Sequence, residues 1–184
     1  RRDLASHITS DMYLYTSSGQ KVGWWPGTKV LNVSTQSAWS DTLVSFVTDD
    51  LLASGYWDGV FYDNMWDGIS YFVGTDVDYN RDGKKDTQID ATWKRGMEYI
   101  YTQTKKKNPG KIIVGNGSTG EYDGLLHGKM LENFVGGDAW TPTMNRYKQN
   151  ESSALSPSVH IINANTLNKG GGETAYRQMR FGLG

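Results

Sequence analysis

The chain has 184 residues, 19 Lys plus Arg against 20 Asp plus Glu, and no cysteine. A formal charge of -1 gives no electrostatic case for a nucleic acid or an anionic membrane as partner. Zero cysteines exclude a disulfide scaffold, a Cys nucleophile and a thiolate-held metal, and no apolar run approaches the length of a membrane span.

Met12 to Tyr15, the turn residues Ser17-Ser18-Gly19 and Lys21 to Trp25 predict strand, turn and strand, with a further short strand over Thr28 to Val33. Residues 37–54 have helical spacing, with Leu43, Val47 and Leu51 four apart and Phe46 beside them. Ser37 or Ser40 suits the start of that helix and Gly55 its end. Gly59 to Tyr62 is an apolar strand that runs into Asp63-Asn64. A polar, Gly-rich stretch over 67–88 precedes the strongest predicted helix, 89–107, whose face is Ile89, Trp93, Met97, Ile100 and Thr104. Lys105, Lys106 and Lys107 sit at its C-terminal end, where positive charge is favourable. Asn108-Pro109-Gly110 stops it.

Lys111 to Val114 is the next strand and ends in Gly115-Asn116-Gly117. A turn or short helix over 124–128 leads to a strand over 129–134 that carries Glu132. A helix over 145–153, a strand over 158–163 ending at Asn163 and a helix over 174–183 complete the chain. Alternating strands and helices, with strands that are continuous apolar runs, predict an α/β fold with a parallel sheet. Polar residues gather at the C-terminal strand ends, where (β/α)8 barrels place their active sites. Such barrels typically need about 250 residues. The expectation is a single TIM-barrel-like domain over 1–184, an incomplete barrel or fragment cut at both ends.

Asp63 and Glu132 each close an apolar strand and each precede an Asn. Two carboxylates at the mouths of nearby parallel strands suit glycosidic cleavage: one protonates the leaving oxygen, the other attacks the anomeric carbon or activates water. Tyr62, Asn64, Trp66, Asn116, Trp140 and Asn163 are the candidate substrate contacts. The bland alternative is a turn-capping Asp63 and a Lys-paired Glu132.

Asp78-Tyr79-Asn80-Arg81-Asp82-Gly83 matches the first half of a calcium loop. Asp78, Asn80 and Asp82 supply side-chain oxygens, Lys84 a backbone carbonyl, and Asp86 falls at the ninth position. The twelfth is Ile89, which cannot ligate, so Asp90 or Asp76 is the candidate to complete the set. The expected cofactor is a structural Ca2+ in an insertion over about 74–90; the alternative is a solvated acidic turn. His7, His127 and His160 share no metal-ligand spacing, and His160 reads as a core residue.

Asp58-Gly59-Val60-Phe61-Tyr62-Asp63-Asn64 resembles a strand end found in glycosyl-hydrolase-like (β/α)8 barrels of poorly assigned activity. These are similar in turn to the endo-alpha-1,4-polygalactosaminidase group. The likeness continues through Leu31-Asn32, the helix around Trp39, Val114-Gly115-Asn116-Gly117, Leu131-Glu132-Asn133 and Tyr176 to Leu183. It implies Asp63 as nucleophile or base and Glu132 as acid, acting on a polysaccharide or oligosaccharide. The alternatives are a non-catalytic carbohydrate-binding barrel and a calcium-stabilised surface module. Asn32-Val-Ser34, Asn116-Gly-Ser118 and Asn150-Glu-Ser152 fit the N-glycosylation pattern, but such triplets are common by chance. The expected location is extracellular or the cell surface.

Overall fold

A computed structural model of the chain describes residues 3–117, 120–134, 140–164 and 172–184. Ser118, the third residue of one glycosylation triplet, lies outside them. The chain divides into two compact units, one of Arg1–Asp58 with Trp66–Lys111, the other of Gly59–Met65 with Ile112–Gly184.

In the first unit, α1 (Ala38–Ser45) opens where the Ser37 hydroxyl accepts the Ser40 N–H. The helix continues as a π-turn over Phe46–Leu51 and a 3-10 turn over Leu52–Ser54, and stops at left-handed Gly55. A short helix, α2 (Ser70–Val73), precedes α3 (Ile89–Lys107). All five residues of the predicted α3 face are buried, α3 packs against α1 and the π-turn that follows it, and Trp39, Val44 and Val47 of that segment are buried as well. Burial of that many large apolar groups, at about 1.5–3 kcal/mol each, is what fixes a helix as long as α3.

The predicted strands near the N-terminus form no ladder; a triangle of backbone bonds lies at their centre. Leu14 N–H donates to Val30 C=O, Val30 N–H to Val22 C=O, and Val22 N–H to Leu14 C=O. All three side chains are buried. Each segment therefore bonds on two sides at one level, too briefly to extend a ladder, and only isolated antiparallel bridges form.

The second unit carries β1 (Gly59–Met65), β2 (Ile112–Gly117), β3 (Gly128–Leu131) and β4 (Ile161–Ile162). They form a four-stranded parallel sheet in the order β1-β2-β3-β4. Helices α4 (Trp140–Ser153) and α5 (Glu173–Leu183) belong to the same unit. The observed architecture is thus mixed α/β with a four-strand parallel sheet and flanking helices. Helix α4 begins five residues before its predicted start, because Pro142 falls in the first turn, where its missing N–H costs nothing. Among the described residues no helix is long and apolar enough to cross a membrane.

Lys129 of β3 is buried and its ammonium sits 2.8 Å from Asp123 Oδ1. Burial pushes the Asp123 carboxyl up, but its bond to Lys129 and other polar neighbours outweigh this and hold it below the ordinary carboxylate value. Asp123→Ala strands a buried cation. Because Asp123 is about one-third exposed, the expected loss is about 2 kcal/mol at neutral pH rather than the larger cost of a fully buried pair. The carboxyl's folded value is depressed, so its contribution is present above the unfolded value near 3.8 and is lost as pH falls through the folded one. Urea unfolding of both chains at pH 7 and at pH 3 reads this: the difference shrinks in acid.

Candidate active site

Three strand ends of the second unit build the site. Tyr62 of β1 pairs with Gly115 of β2, but the next paired residues are Met65 and Gly117, so β1 holds one extra residue there. This bulge contains Asp63 and Asn64, and Asn64 takes up the bend with φ of 58°. Asn is among the few residues that enter this left-handed region at low cost, because its side chain can bond locally. Bulges re-aim side chains next to functional sites. Here Asp63 is turned outward and exposed while Tyr62 is buried beneath the sheet surface.

The same device recurs after β3. Glu132 is the first residue beyond the strand, and Asn133 follows at φ of 55°. Two backbone bonds hold this turn: Asn163 N–H donates to Leu131 C=O at 3.1 Å, and Phe134 N–H donates to Asn163 C=O at 3.0 Å. Asn163 therefore acts through its main chain, bracketing Glu132 from the end of β4.

Between the two carboxylates lies Asn116 of β2. Its Nδ2 donates to Asp63 Oδ1 at 3.0 Å and to Glu132 Oε2 at 3.2 Å. Asp63 Oδ1 also accepts the Asn64 N–H at 2.8 Å. One amide thus ties together groups 53 and 16 residues away along the chain. The two bonded oxygens can be no farther apart than the sum of these bonds, about 6.2 Å. Gly115 makes room beneath: a Cβ there would collide with the Met65 thioether. Trp140, half exposed at the start of α4, packs with Phe134 and Phe181 at ring-centroid distances of 6.4 and 5.4 Å.

Paired carboxylates at parallel strand ends agree with what sequence comparison finds. Residues 3–184 match the profile described as hypothetical glycosyl hydrolase family 15. The chain belongs to that family. Membership in hypothetical glycosyl hydrolase family 15 points to glycoside hydrolysis and to a carbohydrate as substrate. No curated protein and no solved structure matches this family member.

The remaining candidates fall in the first unit. Trp66 accepts the Trp93 indole N–H on its carbonyl at 3.0 Å and lies 5.1 Å from the Phe72 ring. In the acidic loop, Asp78 is 2% exposed. Its Oδ2 accepts Gly83 N–H at 2.8 Å and its Oδ1 accepts Asp82 N–H at 3.2 Å. Asn80 Oδ1 accepts Asp82 N–H, Asp82 Oδ1 accepts Lys84 N–H, and Asp86 Oδ2 accepts Tyr79 N–H. Asp90 points elsewhere. It accepts Ile69 N–H, Ser70 N–H and the Ser70 hydroxyl at 2.6–2.8 Å. Burial raises its carboxyl, but these donors outweigh it and the net shift is downward. Asp76 accepts the N–H and hydroxyl of Ser17, two bonds that hold it below its ordinary value. Among the described residues no three His, Cys, Asp or Glu side chains converge as a metal-holding group.

His127 and His160 accept backbone N–H groups of Ile113 and Lys129 on Nδ1. They lock neighbouring strands, and burial holds His160 below its ordinary value. Sequence reasoning missed the positioning roles of Asn64, Asn133 and the Asn163 main chain. The signal was present as two carboxylate–Asn pairs.

Proposed function

We propose that the chain is a retaining glycoside hydrolase, with Asp63 as nucleophile and Glu132 as general acid/base, acting on a polysaccharide. The observation that carries this reading is the Asn116 amide shared between the two carboxylates. A retaining pair works at about 5–5.5 Å and an inverting pair at about 6.5–9.5 Å, because inversion needs a water between carboxylate and sugar. The shared amide keeps one oxygen of each carboxylate within about 6.2 Å of the other, a closeness that supports the narrower, retaining spacing.

Asp63 is held by two N–H donors, which suits an oxygen that must attack along a fixed line. Glu132 donates its proton to the glycosidic oxygen as the bond to the anomeric carbon breaks. Asp63 forms the glycosyl ester, and Glu132, now ionised, takes a proton from the water that hydrolyses it. In this reading the four strands are an arc of a (β/α)8 barrel. The acidic loop holds a structural Ca2+ through Asp78, Asn80, Asp82 and the Lys84 carbonyl, supported by the match to the first half of a calcium loop. Asp90 belongs to the cap of α2 rather than to that ligand set.

Proton NMR of the first product formed from a panel of polysaccharides tests the proposal. The expected product keeps the anomeric configuration of the substrate; the opposite anomer removes the retaining assignment. Asn116→Ala frees both carboxylates and is expected to lower kcat by about 10²-fold with little change in KM. A larger change in KM would make Asn116 a substrate contact instead.

A further inference from the structure

The first unit holds an aromatic cavity of about 550 Å3, lined by Trp66, Asp67, Ser70, Tyr71, Phe72 and Asp90. That volume falls within the range of small-ligand pockets, about 300–1,000 Å3. We infer that this cavity binds carbohydrate and takes a neutral pyranose unit of a glycan stacked on its aromatic wall.

The wall is a built feature. Asp90 Oδ1 accepts the N–H groups of Ile69 and Ser70, and Oδ2 accepts the Ser70 hydroxyl, so three bonds clamp the start of α2 onto α3. Gly68 permits the approach: a Cβ there would sit 2.7 Å from the Asp90 carboxyl carbon. Gly74, at φ of 79°, ends α2 after one turn. The outcome is that Tyr71 stands 92% exposed at the rim, edge-on to Phe72 at 5.2 Å.

Behind the wall the rings continue. Phe72 lies 4.7 Å from Trp24, which stacks on Trp25 at 4.7 Å and 11°. Tyr71 at 92% and Trp25 at 51% leave aromatic surface in water beside this ring cluster. A ligand that offers a flat C–H face covers that surface, while its equatorial hydroxyls need acceptors at the edge. A pyranose has both features, and Asp67 and Asp90 supply acceptor oxygens at the cavity margin. The same two carboxylates repel uronate or sulfated sugars, which is the reason for specifying a neutral unit.

The inference rests on the glycoside-hydrolase reading only for the class of ligand. The test is titration of the full chain with maltohexaose, cellohexaose, xylohexaose, tri-galacturonate and choline. Calorimetry and the Trp66 indole N–H resonance follow binding, with Asp63→Asn as background so that nothing is consumed. At least one neutral oligosaccharide is expected to shift the Trp66 signal to saturation. Tyr71→Ala then weakens that binding about five- to tenfold, and Tyr71→Phe, which keeps the ring, changes it less than about twofold. The idea is overturned if no neutral sugar moves the Trp66 signal by about 10 mM, or if Tyr71→Ala binds like the parent. Tighter binding of tri-galacturonate or choline overturns it as well. Hydrolysis by the unsubstituted chain without Tyr71-dependent binding sinks this site alone; binding without hydrolysis leaves it standing and sinks the catalytic proposal.

Discussion

Asp63→Asn is expected to lower kcat/KM on a polysaccharide by about 10⁴-fold or more, with folding unchanged. The substitution removes the attacking oxygen anion from a retaining mechanism and leaves only binding and protonation to help the reaction. Asp63 is exposed and its partners are an N–H and an amide, so the Asn side chain fits without a cavity. Glu132→Gln is the informative companion. Loss of the acid costs about 10²–10⁴-fold on substrates with poor leaving groups and much less on activated aryl glycosides. Azide restores turnover of an activated substrate to the acid/base variant by attacking the glycosyl ester, with retained product. Rescue of Asp63→Asn by azide gives the inverted product. Interchanged rescue patterns would exchange the two roles, and full activity in Asp63→Asn would take this carboxylate out of the mechanism.

The parts of the fold that were legible in sequence share one property: their pattern is local. The α3 face repeats at helical spacing over five buried residues, so the pattern predicts 89–107, and the helix is found there. The apolar runs that stop at a carboxylate are legible as strands, and β3 does end just before Glu132, whereas β1 continues through Asp63 to Met65. The N-terminal triangle was not, since bonds among Leu14, Val22 and Val30 depend on three segments meeting at one level. The π-turn over Phe46–Leu51 was hidden as well: its i+4 apolar spacing reads as α-helix whichever carbonyl each N–H selects. At the site, sequence points to the two acids and to Asn116 as candidate residues. The pair of hydrogen bonds it donates, one to each acid, is visible only when β2 lies between β1 and β3. Asp90 shows the converse. Counting oxygens along the loop placed it with the calcium ligands, whereas Gly68 lets the chain fold back and give it three donors of its own.

Calcium is expected to raise the melting temperature of the unsubstituted chain by about 10 °C when it exceeds its dissociation constant about a thousandfold, a gain of about 4 kcal/mol. The stem of the loop explains why binding would be felt globally. Asp78 N–H donates to Tyr15 C=O at 2.8 Å, and Asn32 Nδ2 donates to the Tyr79 carbonyl at 3.0 Å. The Tyr79 hydroxyl reaches Ile89 C=O at the start of α3, and Val77 and Tyr79 are buried. An ion that fixes the loop therefore fixes three other segments of the first unit. Two substitutions separate the metal from the scaffold. Asp82 is exposed, so Asp82→Ala should cost little under chelator yet abolish most of the calcium increment. Asp78→Ala does both kinds of damage, because it also strips the acceptor from the Asp82 and Gly83 N–H groups. That alone is expected to cost about 1.5–3 kcal/mol, the usual worth of hydrogen bonds to a charged acceptor. Melting each chain with calcium and with chelator reads the two effects independently. An unsubstituted chain that melts at one temperature in both buffers would reduce the loop to a set of Asx turns, with the Asp78 penalty intact and no ion to account for.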